Sequence, residues 1–85
     1  MQPTARSKTL LNDPRATMKL HALIADLRRR VQVLDFDLYE QEKRTGIFSV
    51  SDAAYPILAR DQRARRNNLL VTITMLQRQL VEAAV

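Results

Sequence analysis

The sequence predicts an all-α protein: an antiparallel, coiled-coil-like hairpin of two long helices that dimerises into a four-helix bundle. Three observations carry this prediction. Apolar residues recur every three or four positions along two long segments, and the chain's single glycine lies between these segments. In addition, more apolar residues lie off the two seams than a lone hairpin can bury.

The hairpin is expected to occupy residues 13–85, after a flexible N-terminal arm at residues 1–12. The arm is rich in threonine, serine and proline and has little apolar bulk, a composition typical of mobile segments. Asp13 and Pro14 then give a helix start signal. An aspartate accepts the free amide hydrogens of a first turn, and a proline at the first helical position loses nothing by lacking one.

The first helix is predicted at about residues 13–45. Its apolar positions alternate steps of four and three, which keeps them on one side of a helix: Leu20, Ile24, Leu27, Val31, Leu34 and Leu38. Gly46 ends the helix because glycine readily takes the left-handed conformation after a last turn. Lys43 and Arg44 lie in that last turn, where they complement the negative end of the helix.

A structured turn at residues 46–55 and a second helix at about residues 56–83 complete the hairpin. The same spacing recurs after Pro56 at Ala59, Gln62, Arg66, Leu69, Ile73, Leu76, Leu80 and Ala83. Ser49 and Asp52 have capping-box spacing, but Pro56 lacks the N–H that a helix begun at Ser49 would need. Either a short turn precedes the second helix, or the helix is kinked at Pro56.

Four consecutive β-branched residues, Val71 to Thr74, raise the alternative of a strand at residues 69–76. We favour a helix, because the flanking residues share its seam and a lone strand would have no partner.

The predicted register centres the turn near Phe48. This places Ile24 beside Ile73 and Leu38 beside Ala59, with Val31 and Leu34 facing Arg66 and Gln62. Asp35 and Asp37 then lie within reach of Arg63 and Arg66. This polar layer is either a device that fixes the register or a solvated cluster of ion pairs.

Composition excludes several functions. The chain has 85 residues, no cysteine, one glycine and one histidine. It therefore lacks thiol chemistry, a glycine-rich phosphate loop and a histidine-based metal set or catalytic relay. We expect one non-enzymatic domain without a cofactor or bound metal. No segment is apolar enough to span a membrane and no secretory signal is visible, so we expect a cytoplasmic protein. Each apolar stripe has a partner in the same chain, so we expect no association with membranes.

The leftover apolar residues predict a protein-interaction role as a homo-oligomer. The expected interface residues are Val33, Phe36, Leu70, Val71 and Met75. The function that follows is that of a small helical adaptor, assembly factor, chaperone or regulator that binds itself and a protein partner.

The alternative is a small basic regulatory protein that binds nucleic acid. The net charge is +5, and arginines group at residues 28–30 and 60–66. In the folded hairpin these groups would form a belt able to contact phosphates, with Arg28, Arg29, Arg30 and Arg63 as the contact residues. Acidic residues interspersed with the belt weigh against this alternative.

Overall fold

The computed structural model describes residues 13–84, which form two helices packed against each other. Helix α1 spans Pro14–Thr45 and helix α2 spans Ile57–Ala84. Within these residues there is no strand, so the all-α fold of two packed helices is confirmed. The helices begin and end within one residue of the predicted bounds. The arm predicted at residues 1–12 lies outside the described residues.

The ends of α1 follow from its capping residues. The Asp13 carboxylate accepts a hydrogen bond from the Arg15 backbone N–H at 3.0 Å, and Pro14 is the first helical residue. At the other end Gly46 has a φ of 74°, and its N–H donates to the Glu42 carbonyl oxygen at 2.8 Å. A left-handed residue here satisfies one of the last free carbonyls of the helix.

Two short turns lead from α1 into α2. The Asp52 N–H donates to the Ser49 carbonyl oxygen at 3.1 Å, and the Tyr55 N–H donates to the Asp52 carbonyl oxygen at 3.0 Å. The Asp52 carboxylate also accepts from the Ala54 N–H at 2.8 Å, which holds the second turn. Helix α2 begins directly after Pro56. Of the two alternatives at this proline, a short turn before the helix is therefore the one observed.

The β-branched run lies inside α2, which excludes the strand alternative. The hydroxyls of Thr72 and Thr74 each donate to the carbonyl oxygen four residues earlier, at 3.0 Å. Ile73 between them is 5% exposed and faces α1. Burial of this residue against the first helix outweighs the weak local preference for a strand.

The core consists of two separate apolar clusters along the hairpin. The longer one contains Ile24, Leu27, Val31 and Ile73, with Leu69, Leu76 and Leu80 packed against them. The other lies near the turn and contains Leu38, Tyr55 and Ala59, with Ile47 and Val50 beside them. Residues early in α1 thus pack with residues late in α2, so the helices are antiparallel.

The predicted neighbours Ile24 and Ile73 share one apolar cluster and Leu38 and Ala59 share the other, but the polar contacts between the helices lie at a different register from the one that a turn centred near Phe48 predicts. Hydrogen bonds between the helices join Asp35 to Arg66, Gln41 to Gln62 and Glu42 to Arg63. Each α2 partner lies about one to two helical turns further along the chain than predicted. The reason is the length of the connection: residues 46–56 are centred on Ser51, not on Phe48. Val31 consequently belongs to the apolar cluster instead of a polar layer.

Candidate functional site

The hairpin leaves much of its apolar surface uncovered. It is a rod with principal extents of 57 × 20 × 17 Å. Among the described residues, seven apolar side chains are buried while twelve large ones are exposed. The exposed ones are Met18, Leu23, Val33, Phe36, Tyr39, Phe48, Ile57, Leu58, Leu70, Val71, Met75 and Val81. Single exposed apolar residues are normal, whereas a contiguous group of them marks an interaction surface, so the grouping of these residues decides their meaning.

One group of exposed residues forms a patch on α2. Leu70, Val71 and Met75 line a shallow depression of about 360 Å³ together with Thr74 and Arg78. Val71 and Met75 are 59% and 57% exposed, and Leu70 is 38% exposed. We call these three apolar residues and Thr74 the α2 patch.

The other two predicted interface residues lie elsewhere. Val33 and Phe36 are on α1 and are 57% and 64% exposed. Val33 lines a different depression, which shares no residue with the one at the α2 patch. All five predicted interface residues are thus exposed, but Val33 lines a different depression from the three on α2.

The depression at Val33 is a groove between the two helices. It has a volume of about 630 Å³, and its lining residues are Asp26, Arg29, Arg30, Val33, Leu34, Arg65, Asn68, Leu69 and Thr72. Three arginines flank an apolar floor made by Val33, Leu34 and Leu69. We call this site the arginine groove.

The four arginines predicted to contact nucleic acid do not act as one belt. Arg28, Arg29 and Arg30 are consecutive helical residues, so they project in directions about 100° apart. Only Arg29 and Arg30 line the arginine groove, where Arg65 joins them. Arg30 forms an ion pair with Asp26 at 3.2 Å. Arg63 is engaged in a separate cluster, so its charge is already matched.

That cluster consists of Glu42, Tyr55 and Arg63, near the turn. Glu42 Oε2 accepts hydrogen bonds from the Tyr55 hydroxyl at 2.8 Å and from Arg63 Nη2 at 2.7 Å. The Arg60 guanidinium lies 5.6 Å from the centre of the Tyr55 ring, and that of Arg63 lies 6.0 Å from it. Tyr55 is 3% exposed and Glu42 is 9% exposed. We call this site the Glu42 cluster.

Hydrogen bonds within the Glu42 cluster favour the charged form of Arg63. The bonds with Tyr55 and Glu42 raise the pKa of the Arg63 guanidinium above its ordinary value, so this group stays protonated. Its Nε is buried and has no hydrogen-bond partner among the described residues. The cluster joins both helices and the turn, which suits a structural role in fixing the hairpin.

The second ion pair between the helices joins Arg66 to Asp35. Both side chains are partly exposed, at 31% and 48%, so this pair is solvated and contributes little to stability. The polar layer predicted from the sequence placed Asp35 within reach of Arg66, as observed. Arg63, however, pairs with Glu42 instead of an aspartate.

Sequence reasoning missed the Glu42 cluster and the position of Arg65 in the arginine groove. A signal for the Glu42 cluster exists, because Glu42 lies four residues after Leu38 and therefore on the same side of α1. An acidic residue on a buried seam needs a partner. A signal for Arg65 exists as well. Helical spacing puts it on one face of α2 with three other residues of the groove lining, Asn68, Leu69 and Thr72.

Residues 13–84 contain neither a cluster of metal-ligating side chains nor a helix that could span a membrane. No group of three or more histidine or acidic side chains there is arranged to hold a metal ion. Neither helix contains a stretch long and apolar enough to cross a bilayer. Comparison with protein families, with characterised proteins and with solved structures finds no match for the chain.

Proposed function

We propose that the protein is a small non-enzymatic helical interaction module that works as a homodimer, in which two hairpins bring four helices together. The observation that carries this proposal is the α2 patch, where three large apolar side chains lie exposed on one helix face. A second α2 helix, packed against the first, is the occupant that we propose for it.

The charge distribution favours a second copy at this patch. The chain carries a net charge of +5, so two copies repel each other at most orientations. The segment from Asn67 to Gln77 contains no charged residue, however, and the α2 patch lies inside it. Two copies can therefore pack α2 against α2 with uncharged residues at the centre of the contact, and the nearest arginines, Arg66 and Arg78, lie at the two ends of the segment.

Removing the α2 patch from water also costs little free energy. Its one hydroxyl, on Thr74, already donates to the Leu70 carbonyl oxygen within the same helix. Burying a hydroxyl is costly only when its hydrogen bonding is lost. Covering the patch thus removes apolar surface from water while leaving this hydroxyl hydrogen bonded.

Protein binding accounts for the surface better than nucleic-acid binding does. Two of the arginines expected to form the belt are already in ion pairs: Arg63 with Glu42 and Arg30 with Asp26. The arginines that remain around the groove flank an apolar floor, which a phosphate backbone does not use.

The test is sedimentation equilibrium of the full chain from about 10 µM to about 1 mM, a range suited to modest affinity. The wild type is expected to sediment at twice the chain mass of 9.8 kDa. Val71→Asp replaces an apolar side chain in the contact by a charged one. The lost burial costs roughly 1.5 kcal/mol of binding free energy in each copy, so the dimer should dissociate about a hundredfold more readily. Circular dichroism should show unchanged helicity.

Val33→Asp is the matched control. It makes the same chemical change at nearly the same exposure, 57% against 59%, but in the arginine groove on α1. This variant is expected to stay dimeric. A wild type that remains at 9.8 kDa throughout would refute the proposal. So would loss of the dimer in Val33→Asp with retention in Val71→Asp.

A further inference from the structure

We propose that the arginine groove binds an acidic amphipathic helix of a protein partner. This inference deepens the proposed interaction function by naming the chemistry of the partner. The lining of the groove shares no residue with the depression at the α2 patch, so substitutions can be placed in one site without changing a residue of the other.

The shape of the groove fits a helix. Its lining on α1 runs from Asp26 to Leu34, a rise of about 12 Å or roughly two helical turns. The apolar floor is made by Val33 and Leu34 on α1 and by Leu69 on α2. A helix that projects apolar residues at three- and four-residue spacing can insert them into such a floor.

The charge of the groove selects an acidic ligand. Its lining contains three arginines and one acidic residue, Asp26, whose carboxylate is paired with Arg30. Arg29 and Arg65 form no ion pair within residues 13–84. Carboxylates flanking the apolar side of a bound helix would meet these two guanidinium groups, which bind carboxylates in a planar, two-pronged geometry.

The same features disfavour the other occupants. A second copy of this chain is itself basic, at +5, so it complements the groove poorly. A single nucleic-acid strand binds through aromatic side chains on which its bases stack, and the groove lining contains none. The hydroxyl of Thr72 in the lining donates to the Asn68 carbonyl oxygen, so it is not free to donate to phosphate.

The test is fluorescence anisotropy with a labelled synthetic peptide of about four helical turns. The peptide has leucines along one helix face and glutamates flanking them, and a control peptide has lysine in place of every glutamate. The glutamate peptide should bind at least about tenfold more tightly than the lysine peptide. Its affinity should fall as salt is added, because the arginine charges become screened.

Two charge reversals place the binding in the groove. Arg65→Glu should weaken binding of the glutamate peptide about tenfold or more, because like charges then face each other. Arg78→Glu makes the same change beside the α2 patch, outside the groove, and should alter the affinity by no more than about twofold.

Three results would overturn the inference. The first is no binding of the glutamate peptide at about 1 mM protein. The second is an equal loss of affinity in Arg65→Glu and Arg78→Glu, which would indicate attraction to net charge alone. The third is displacement of the peptide by a short DNA duplex at lower concentration than by unlabelled peptide, which would indicate a phosphate ligand.

The two valine variants separate this inference from the dimer. Val33→Asp should abolish peptide binding and leave the dimer intact, whereas Val71→Asp should dissociate the dimer and leave peptide binding intact. Failure of the groove thus leaves the dimer measurable, and failure of the dimer leaves the groove measurable.

Discussion

Removing the Tyr55 hydroxyl should destabilise the hairpin by about 2 kcal/mol. Tyr55→Phe deletes one oxygen and leaves the ring in place. That oxygen donates to the buried Glu42 carboxylate at 2.8 Å and lies 3.5 Å from Arg63 Nη2. A hydrogen bond to a charged group contributes about 1.5–3 kcal/mol, and Glu42 would keep only its bond from Arg63. A chain of this size is stable by roughly 5 kcal/mol, so the loss is a large fraction.

The assay is urea unfolding followed by circular dichroism, at two protein concentrations so that dimer dissociation is separated from unfolding. With a slope of about 1 kcal/mol/M, the midpoint should fall by roughly 2 M. Tyr39→Phe is the control, because it makes the same change at the chain's other tyrosine, which is 56% exposed. Its midpoint should match the wild type.

Neutral pH is sufficient for this measurement. Tyr55 and Glu42 raise the pKa of Arg63 in the folded state. The contribution of this shift to the free energy of unfolding is therefore fully present below the unfolded-state pKa of arginine. The contribution is lost only as the pH rises through the still higher folded-state value. Equal midpoints for Tyr55→Phe and Tyr39→Phe would refute the reasoning. A coupling below about 0.5 kcal/mol between Tyr55→Phe and Glu42→Gln in a double-mutant cycle would refute it as well.

Three further substitutions test the helix ends and the core by the same unfolding assay. Asp13→Ala removes the acceptor of the Arg15 N–H and should cost about 1 kcal/mol, so an unchanged midpoint would contradict the cap. Gly46→Ala meets no atom within 4 Å, so its cost of about 1 kcal/mol should come only from the left-handed backbone at a φ of 74°. Ala59→Leu overfills a position that is 0% exposed and should cost about 1–3 kcal/mol, and a stabilised variant would show that the helices have room there.

The helices could be predicted from the sequence because the signals for them are local. The seam from Leu20 to Leu38 has one period throughout, and Asp13 and Gly46 provide the caps that the structure uses. Local preference failed only where burial overrides it. Ile73 lies in a β-branched run, yet it is helical because it packs against α1.

The register could not be predicted because it depends on the path of the turn. The seam repeats with one period, so sliding the helices by a turn keeps apolar residues opposite apolar residues. The connection of residues 46–56 sets the register, and within it Tyr55 folds into the core and donates a hydrogen bond to Glu42. That contact involves a residue from the turn, and helical spacing does not include it.

The candidate surfaces could be predicted only in part, because they too depend on how the two helices pack. Exposure of Val33 and Val71 followed from their distance from the seam, which each helix determines alone. Whether they share a surface depends on both helices together. The arginine groove likewise needs Arg29 from α1 and Arg65 from α2 on the same side of the hairpin.

The most direct test of the account is covalent linkage of two copies through α2. The chain has no cysteine, so Val71→Cys introduces a unique thiol. Residue 71 lies near the centre of the charge-free segment, where two copies related by a two-fold axis bring equivalent residues together. After mild oxidation or treatment with a short thiol cross-linker, Val71→Cys should run mainly as a covalent dimer and Phe36→Cys on α1 should not. No linkage in Val71→Cys, or equal linkage in both variants, would contradict a dimer joined through the α2 patch.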